Sequence, residues 1–289
     1  MKIGIAGMGL IGGSLCRALK AYTDHTVLGT TRNPATVEFA CSAGAIDGPL
    51  TALSDLDLCI VALPPEATVS FLSEHVSCFR PGAVVMDICG VKRPIVDCAD
   101  SLYHRAGVHF IGAHPMAGKE TAGFANSDAD LYRGASMILT PTPLTDRPSV
   151  ELVRALMLEI GFGRVVEASP DEHDAIIAYT SQLAHVVSSA YVKSPTCSRV
   201  LGFSAGSFQD MTRVAKLDPD MWATLFLCNK QPLLLEIDTL MENLARFRCA
   251  LSAENREEMI SQLKKGRELR EQVLLRQHSA EQTGADAGG

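Results

Sequence analysis

The hydrophobic pattern of this 289-residue chain changes its period once. Up to about residue 168, short apolar runs alternate with segments whose apolar residues recur every three or four positions. The runs at 2–6, 27–32, 58–63, 83–88, 109–113, 136–140 and 164–167 read as strands. The segments after Gly12, from Pro34 to Gly44, from about Val69 to Val76, from Pro94 to Arg105 and over 148–160 read as helices. Leu58 to Leu63 is apolar throughout, as a central parallel strand buried on both faces requires. Residues 119–134 are polar and glycine-bearing and read as a loop, either a lid or a long connection.

From Ser169 onward strand signals stop. Ser169-Pro170-Asp171-Glu172 has the form of a helix start, with an N-cap serine, proline in the first turn and acids at the positive end. This helix is expected to run to about Val192, before Ser194-Pro195, with shorter pieces up to Lys216. Asp218-Pro219 opens a second long helix, on which Leu225, Leu233, Leu234, Ile237, Leu240, Met241 and Leu244 form a wide apolar face. A third, more charged helix is expected from Ser252 to about Leu275. The pattern predicts an α/β Rossmann-type nucleotide-binding domain over residues 1–168 followed by an all-α dimerisation domain over 169–276, to which the candidate residues discussed below add a substrate role. Residues 277–289, polar and rich in small side chains, read as an unstructured tail. The helical segment carries more apolar surface than one small bundle can bury, which predicts a homodimer.

Composition narrows the class. Hydrophobic residues make up 47% and charged residues 20%, ordinary values for a folded soluble protein. The net charge of −7 argues against nucleic acid or an anionic membrane as partner. No apolar run reaches the ~18 residues a membrane span needs, and Lys2 leads straight into a strand with no signal-peptide pattern. The nine cysteines include no C-x-x-C pair, so reduced thiols in a cytoplasmic protein and no metal site are expected.

The first candidate chemistry is Gly7-Met8-Gly9-Leu10-Ile11-Gly12, which follows a strand and opens a helix. Gly7 makes the tight turn, Gly9 lets a pyrophosphate approach the backbone and Gly12 lets helix and strand pack closely. The strand ending at Leu63 and Pro64 is where the cofactor should pass. An NAD site usually carries Asp or Glu about 20 residues beyond the glycines. Here Thr30, Thr31 and Arg32 stand at that place, so hydroxyls and a guanidinium are available for a 2′-phosphate, and NADP is expected over NAD. The other reading of Arg32 is a stack on the adenine that discriminates poorly.

The second candidate is His114, followed by Pro115 and expected at a turn directly after the 109–113 strand. It is placed either for acid–base chemistry or merely to bond a backbone carbonyl. Arg213 lies between apolar neighbours and either pairs with Asp210 one turn back or clamps a substrate carboxylate. His173 and His185 lie on the first helix of the second segment and can be packing residues or ligands of the substrate. Trp222 reads as a packing anchor at the rim of a site.

Four stretches together carry a family resemblance: Gly7-Met-Gly9-Leu-Ile-Gly12-Gly-Ser14, Gly90-Val91-Lys92, His114-Pro-Met-Ala-Gly118, and Asp210-Met-Thr-Arg213-Val-Ala with Asp218-Pro219 and Trp222 beyond. From residue 1 to about 275 the chain resembles the prephenate and arogenate dehydrogenases of tyrosine biosynthesis. The resemblance implies a homodimeric enzyme performing NAD(P)-dependent oxidative decarboxylation of prephenate, or alternatively of arogenate. It implies that His114 takes the substrate hydroxyl proton with a pKa near the ordinary value of about 6.5, that Arg213 binds a carboxylate, that His185 lines the substrate pocket and that His173 stands further from the chemistry. Gly90 departs from the family, which often has serine there as a partner of the catalytic histidine; water, Cys89 or a backbone group would have to replace it. With no further domain expected after the third helix, any feedback by tyrosine would act at the active site or the dimer interface. Two other readings share the layout: a β-hydroxyacid dehydrogenase or imine reductase, which His114-Pro115 disfavours, and a redox-sensing regulator, which the pairing of His114 with Arg213 disfavours.

Overall fold

A computed structural model describes residues 1–119 and 121–285, the side chains after Gln277 excepted. The chain divides into two compact units, one ending at Leu233 and the other beginning at Leu234.

The first unit is built on an eight-stranded sheet. In chain order its elements are β1 (Lys2–Ala6), α1 (Leu10–Tyr22), β2 (Thr26–Thr30), α2 (Pro34–Ser42), β3 (Gly48–Pro49), β4 (Leu58–Val61), α3 (Pro65–His75), β5 (Val84–Asp87), α4 (Arg93–Arg105), β6 (His109–Pro115), β7 (Ser136–Thr140), α5 (Arg147–Glu159) and β8 (Arg164–Glu167). The strand order is β3-β2-β1-β4-β5-β6-β7-β8. The first six strands run parallel, in the doubly wound order whose direction reverses between β1 and β4. Each strand of β4 type is buried on both faces: Leu58 and Ile60 join one core layer with Ile3, Ile5, Leu15 and Met86, while Cys59 and Val61 join the other with Leu72, Ile95 and Tyr103. β3, only two residues long and made of Gly48 and Pro49, has no apolar period by which it could be read.

The sheet corrects the expectation for residues 109–118. There is no turn directly after Ala113. β6 continues to Pro115 because β7 folds back antiparallel to it, pairing His114 with Ile138 and Pro115 with Met137. Proline is tolerated at the last position of a strand, where its missing N–H interrupts little of the ladder. His114 therefore belongs to the strand itself rather than to a loop after it.

Much of the 119–134 segment is fastened to α1. Phe124 is buried against Gly13, the Tyr132 hydroxyl donates to the Ile11 carbonyl (2.6 Å), and the Asp128 N–H donates to Ser14 Oγ (3.0 Å). From Phe124 onward it is a packed connection and not a lid.

The helices that follow are α6 (Pro170–Ile177), α7 (Leu183–Tyr191), α8 (Gly206–Thr212), α9 (Pro219–Cys228), α10 (Lys230–Ser252) and α11 (Arg256–Ala285). Ser169 and Asp218 cap α6 and α9 through their side chains, as their sequence positions predict. Three expectations are revised. A π-turn over Ala178–Gln182 joins α6 to α7, so the first helix is continuous but wound one residue wider in its middle. The expected second helix is broken at Asn229, whose backbone leaves the helical region (φ −114, ψ 33) while its side chain is bonded elsewhere. The third helix starts at Arg256, because Glu254 at φ 52 ends α10, and it carries on to Ala285. Residues 277–285, expected to be unstructured, are thus helical; alanine, glutamine and glutamate favour helix whatever they pack against. The rest of that expected tail, 286–289, lies outside the described residues.

In the second unit α10 and α11 keep Leu235, Met241, Leu244 and Leu263 exposed. Among the described residues no helix is long and apolar enough to cross a membrane.

Candidate active site

The ends of β1 and β4 meet at the point where strand order reverses. Gly7 has φ +102, which side-chain-bearing residues rarely adopt, and its N–H donates to Thr30 at the end of β2 (2.9 Å). A Cβ at Gly12 would lie 1.9 Å from the Gly7 carbonyl oxygen, so α1 can touch the turn only with glycine there. Gly9 is different: nothing lies within 4 Å of its Cβ position. The backbone there faces open space at the N-terminus of α1, where unpaired N–H groups and the helix dipole favour a phosphate. These observations fit a dinucleotide cofactor; Leu10 and Ile11 open α1, and Leu63 and Pro64 stand between β4 and α3, with Leu63 against Gly7. Met8 is a core residue, 2% exposed, with its sulfur against Gly29. At the end of β2, Thr30 and Thr31 are partly exposed and Arg32 is exposed. A groove of about 570 Å³ opens beside Thr30, lined by Leu50, Thr51, Leu53, Phe71 and His75 among others.

His114 is half-buried near the end of β6. Its Nδ1 lies 2.9 Å from Nε2 of His173, and Nδ1 of His173 lies 2.7 Å from the Asp174 carboxylate. The direction of these bonds follows from the carboxylate. A carboxylate oxygen accepts, so His173 donates through Nδ1. In the tautomer this sets, His173 Nε2 is the acceptor of the pair and His114 donates to it through Nδ1. The remaining nitrogen, His114 Nε2, carries a lone pair and lies 3.7 Å from the Cβ position of Gly90.

Two expectations change here. His173 does not stand apart from His114: it is 1% exposed and in direct contact with it. It reaches the histidine because α6 packs against the start of α4, where Asp174 accepts the N–H groups of Lys92 and Arg93 (both 2.8 Å). Nor is the His114 pKa ordinary. Burial, then the neighbouring His173 and the Lys92 ammonium, push it well below 6.5, so the imidazole is neutral at neutral pH.

The structure also answers what stands in for a serine at residue 90. Cys89 does not, because its thiol is turned to Thr68 Oγ1 (3.2 Å) and the Leu63 carbonyl (3.4 Å), and burial pushes its pKa up to about 12. Orientation comes instead from His173, on the opposite nitrogen. Beneath the site, fully buried Lys92 pairs with Asp87 and donates to the Ala113 carbonyl, tying β5 to β6 one residue before His114.

Arg213, His185 and Trp222 form a second group. His185 donates from Nδ1 to the Val214 carbonyl (3.0 Å), and its ring lies 3.7 Å from that of Trp222, centroid to centroid. Burial, and secondarily the Arg213 guanidinium, lower the His185 pKa; the Val214 hydrogen bond works against them. Arg213 itself is exposed at the end of α8. The two groups are linked by α9: Trp222 packs on His185, and Leu225, one turn on, comes as close to the Gly90 Cβ position (3.7 Å) as His114 does. The sequence reading missed Asp174, Lys92 and Leu225 as parts of this site.

Residues 15–167 match the family model described as the prephenate dehydrogenase nucleotide-binding domain, and residues 169–265 match the prephenate dehydrogenase dimerization domain. The chain belongs to the prephenate dehydrogenase family. This dehydrogenase is accordingly an oxidoreductase of tyrosine biosynthesis with a nucleotide-binding domain ahead of a helical one. It is 30% identical to a Bacillus subtilis prephenate dehydrogenase over 96% of its own length and 77% of the relative's. Among solved structures it resembles a Synechocystis arogenate dehydrogenase (25% identity, TM-score 0.82, 94% and 100% of the two chains). It also resembles an A. aeolicus prephenate dehydrogenase in complex with hydroxyphenyl propionate and NAD+ (28% identity, TM-score 0.81, 94% and 98%). A 3-hydroxyisobutyrate dehydrogenase of Mycobacterium tuberculosis, at 16% identity and TM-score 0.54 over 76% and 72% of the chains, shares the fold alone.

Proposed function

We propose that this dehydrogenase converts prephenate to 4-hydroxyphenylpyruvate and carbon dioxide with NADP as hydride acceptor. The observation that carries the reading is the contact of His114 Nδ1 with His173 and of His173 with Asp174, which leaves His114 Nε2 to accept a proton. A neutral imidazole so oriented takes the proton of a substrate hydroxyl, which lets the carbinol carbon give up hydride as it becomes a carbonyl-like centre. The bound nicotinamide supplies the hydride acceptor. As His114 gains its proton, its Nδ1–H bond to His173 strengthens, and the Asp174 carboxylate at the far end stabilises the positive charge. Release of the ring carboxylate then makes the ring aromatic.

Arg213 binds a substrate carboxylate, and His185, Trp222 and Leu225 shape the pocket around the ring. The choice of prephenate over arogenate is supported by the Bacillus subtilis relative; the Synechocystis structure stands for the alternative. NADP over NAD is supported by Thr30, Thr31 and Arg32 at the end of β2, where no carboxylate would repel a 2′-phosphate. The A. aeolicus structure, with NAD+, stands for the other cofactor. A homodimer is supported by the match to a dimerization domain and by the exposed leucines and methionine of α10 and α11.

A two-by-two assay of prephenate or arogenate against NAD or NADP, followed by reduced-cofactor absorbance, tests substrate and cofactor together. The highest kcat/KM is expected with prephenate and NADP. Preference for arogenate, or for NAD, would overturn that half of the reading.

A further inference from the structure

The relay from His114 does not end at Asp174. The main-chain carbonyl of Asp174 accepts a hydrogen bond from the Asn229 amide (2.8 Å), and that amide also donates to Gln182 Oε1 (2.8 Å). The Gln182 amide in turn donates to the Leu225 carbonyl (3.3 Å), on the helix that borders Gly90. His173, Asp174, Gln182 and Asn229 are 1–3% exposed, so water does not substitute for these bonds. Buried amides are unfavourable unless their hydrogens are placed, and apolar side chains would fill the same volume without that demand. What the amides add is direction.

Both amides also stand where a helix departs from regular winding. Gln182 closes the π-turn between α6 and α7, and Asn229 is the break between α9 and α10. These two irregularities, 47 residues apart, bring their side chains together, and Asn229 carries the link on to residue 174. π-turns are found disproportionately at functional sites, because a side chain is re-aimed there at a cost to the helix.

The geometry points to Asn229 and Gln182 as positioning residues for the dehydrogenase reaction: a buried amide pair that fixes the backbone of Asp174 and, through its carboxylate, the tautomers of His173 and His114. This rests on the reading of His114 as the base. Neither residue touches the reacting atoms. Their effect passes through His173, and this separates the proposal from one in which they only hold the core together.

The test is Asn229→Leu, alike in branching and heavy-atom count and without hydrogen-bonding groups, made in the wild-type enzyme and in a His173→Gln background. In the wild type kcat is expected to fall on the order of tenfold with little change in substrate KM, the scale of a base held slightly out of line. In the His173→Gln background the same substitution is expected to leave kcat unchanged, since the path it acts through is already cut. In 15N-labelled protein the His114 ring signals are expected to move from one fixed tautomer toward a mixture. Equal losses in both backgrounds, or a lowered Tm with kcat intact, would overturn the proposal and make the pair structural. If Asn229→Leu does not fold, Gln182→Met leaves the Asn229 bond to Asp174 intact and is expected to show a smaller kcat loss, again only when His173 is present. A His114→Asn control separates the two levels: if it retains full turnover, the base assignment has failed, whatever Asn229 does.

Discussion

His173 lies between His114 and Asp174, one ring nitrogen 2.9 Å from the first and the other 2.7 Å from the second. Each bond dictates the proton position of the next, so the lone pair offered to substrate is set two side chains away. Replacing His114 with Asn is expected to lower kcat on the order of 10²-fold or more, with substrate KM much less affected. Asp174→Asn should do comparable harm by another route. An amide can donate to His173, which turns both tautomers round and presents N–H to the substrate in place of a lone pair. Steady-state kinetics of both variants check this; an Asp174→Asn enzyme with wild-type kcat would remove the relay from the mechanism.

The pH profile follows from the lowered His114 pKa. The imidazole of the free enzyme stays unprotonated down to a pH well under 6.5, so the acid limb of kcat/KM is expected below that value. The unfolded chain takes up this proton near pH 6.5 and the folded one only at lower pH, so the histidine's contribution to stability declines as pH falls below 6.5. Rate profiles and urea midpoints at pH 7 and 5 measure the two effects. A kcat/KM midpoint at or above 6.5 would contradict the assignment.

Arg213→Ala is expected to raise substrate KM about 10- to 100-fold, the range for losing a hydrogen bond to a charged group, while cofactor KM stays near wild type. An unaltered substrate KM would show that Arg213 serves the protein's own structure.

Gly90 is expected to accept a small side chain. A Cβ there would sit 3.7 Å from both His114 Nε2 and Leu225, ordinary contact distances. Gly90→Ser should fold, with Tm within about 2 °C of wild type, and should remain active. Gly90→Val, whose methyl groups must push aside either the imidazole or Leu225, should lose most of its kcat. Thermal melts and kinetics of the pair distinguish this from a glycine needed for its backbone.

The strands around the cofactor turn were legible because each is a short apolar run closed by glycine or proline. The relay was not, and the reason is physical. His173 and His114 are 59 residues apart and on different elements, so no spacing joins them. The local sign was only a histidine and an aspartate side by side in the second turn after Ser169, which a packing helix can equally carry. The Asn229 break was hidden by the leucines on either side, whose helical period continues across it. One asparagine in such a run can end a helix, but its two buried acceptors decide that it does. The fate of residues 277–285 shows the opposite error. Their polarity was read as the absence of structure, whereas helix propensity needs no apolar face.

The π-turn at Ala178–Gln182 sets a limit on how the gene can change length. Successive helical residues are turned by about 100°. Deleting one residue of this turn would let α6 and α7 fuse into regular helix, and everything downstream would swing round by that angle. His173 would keep its place under His114, but His185 would turn away from His114, together with the Arg213 segment and Trp222 that it contacts. The residue that looks superfluous to the helix keeps His114 and the His185–Arg213 group in phase, so single-codon deletions here are expected to cost more activity than stability, as kcat and Tm of such a deletion would measure.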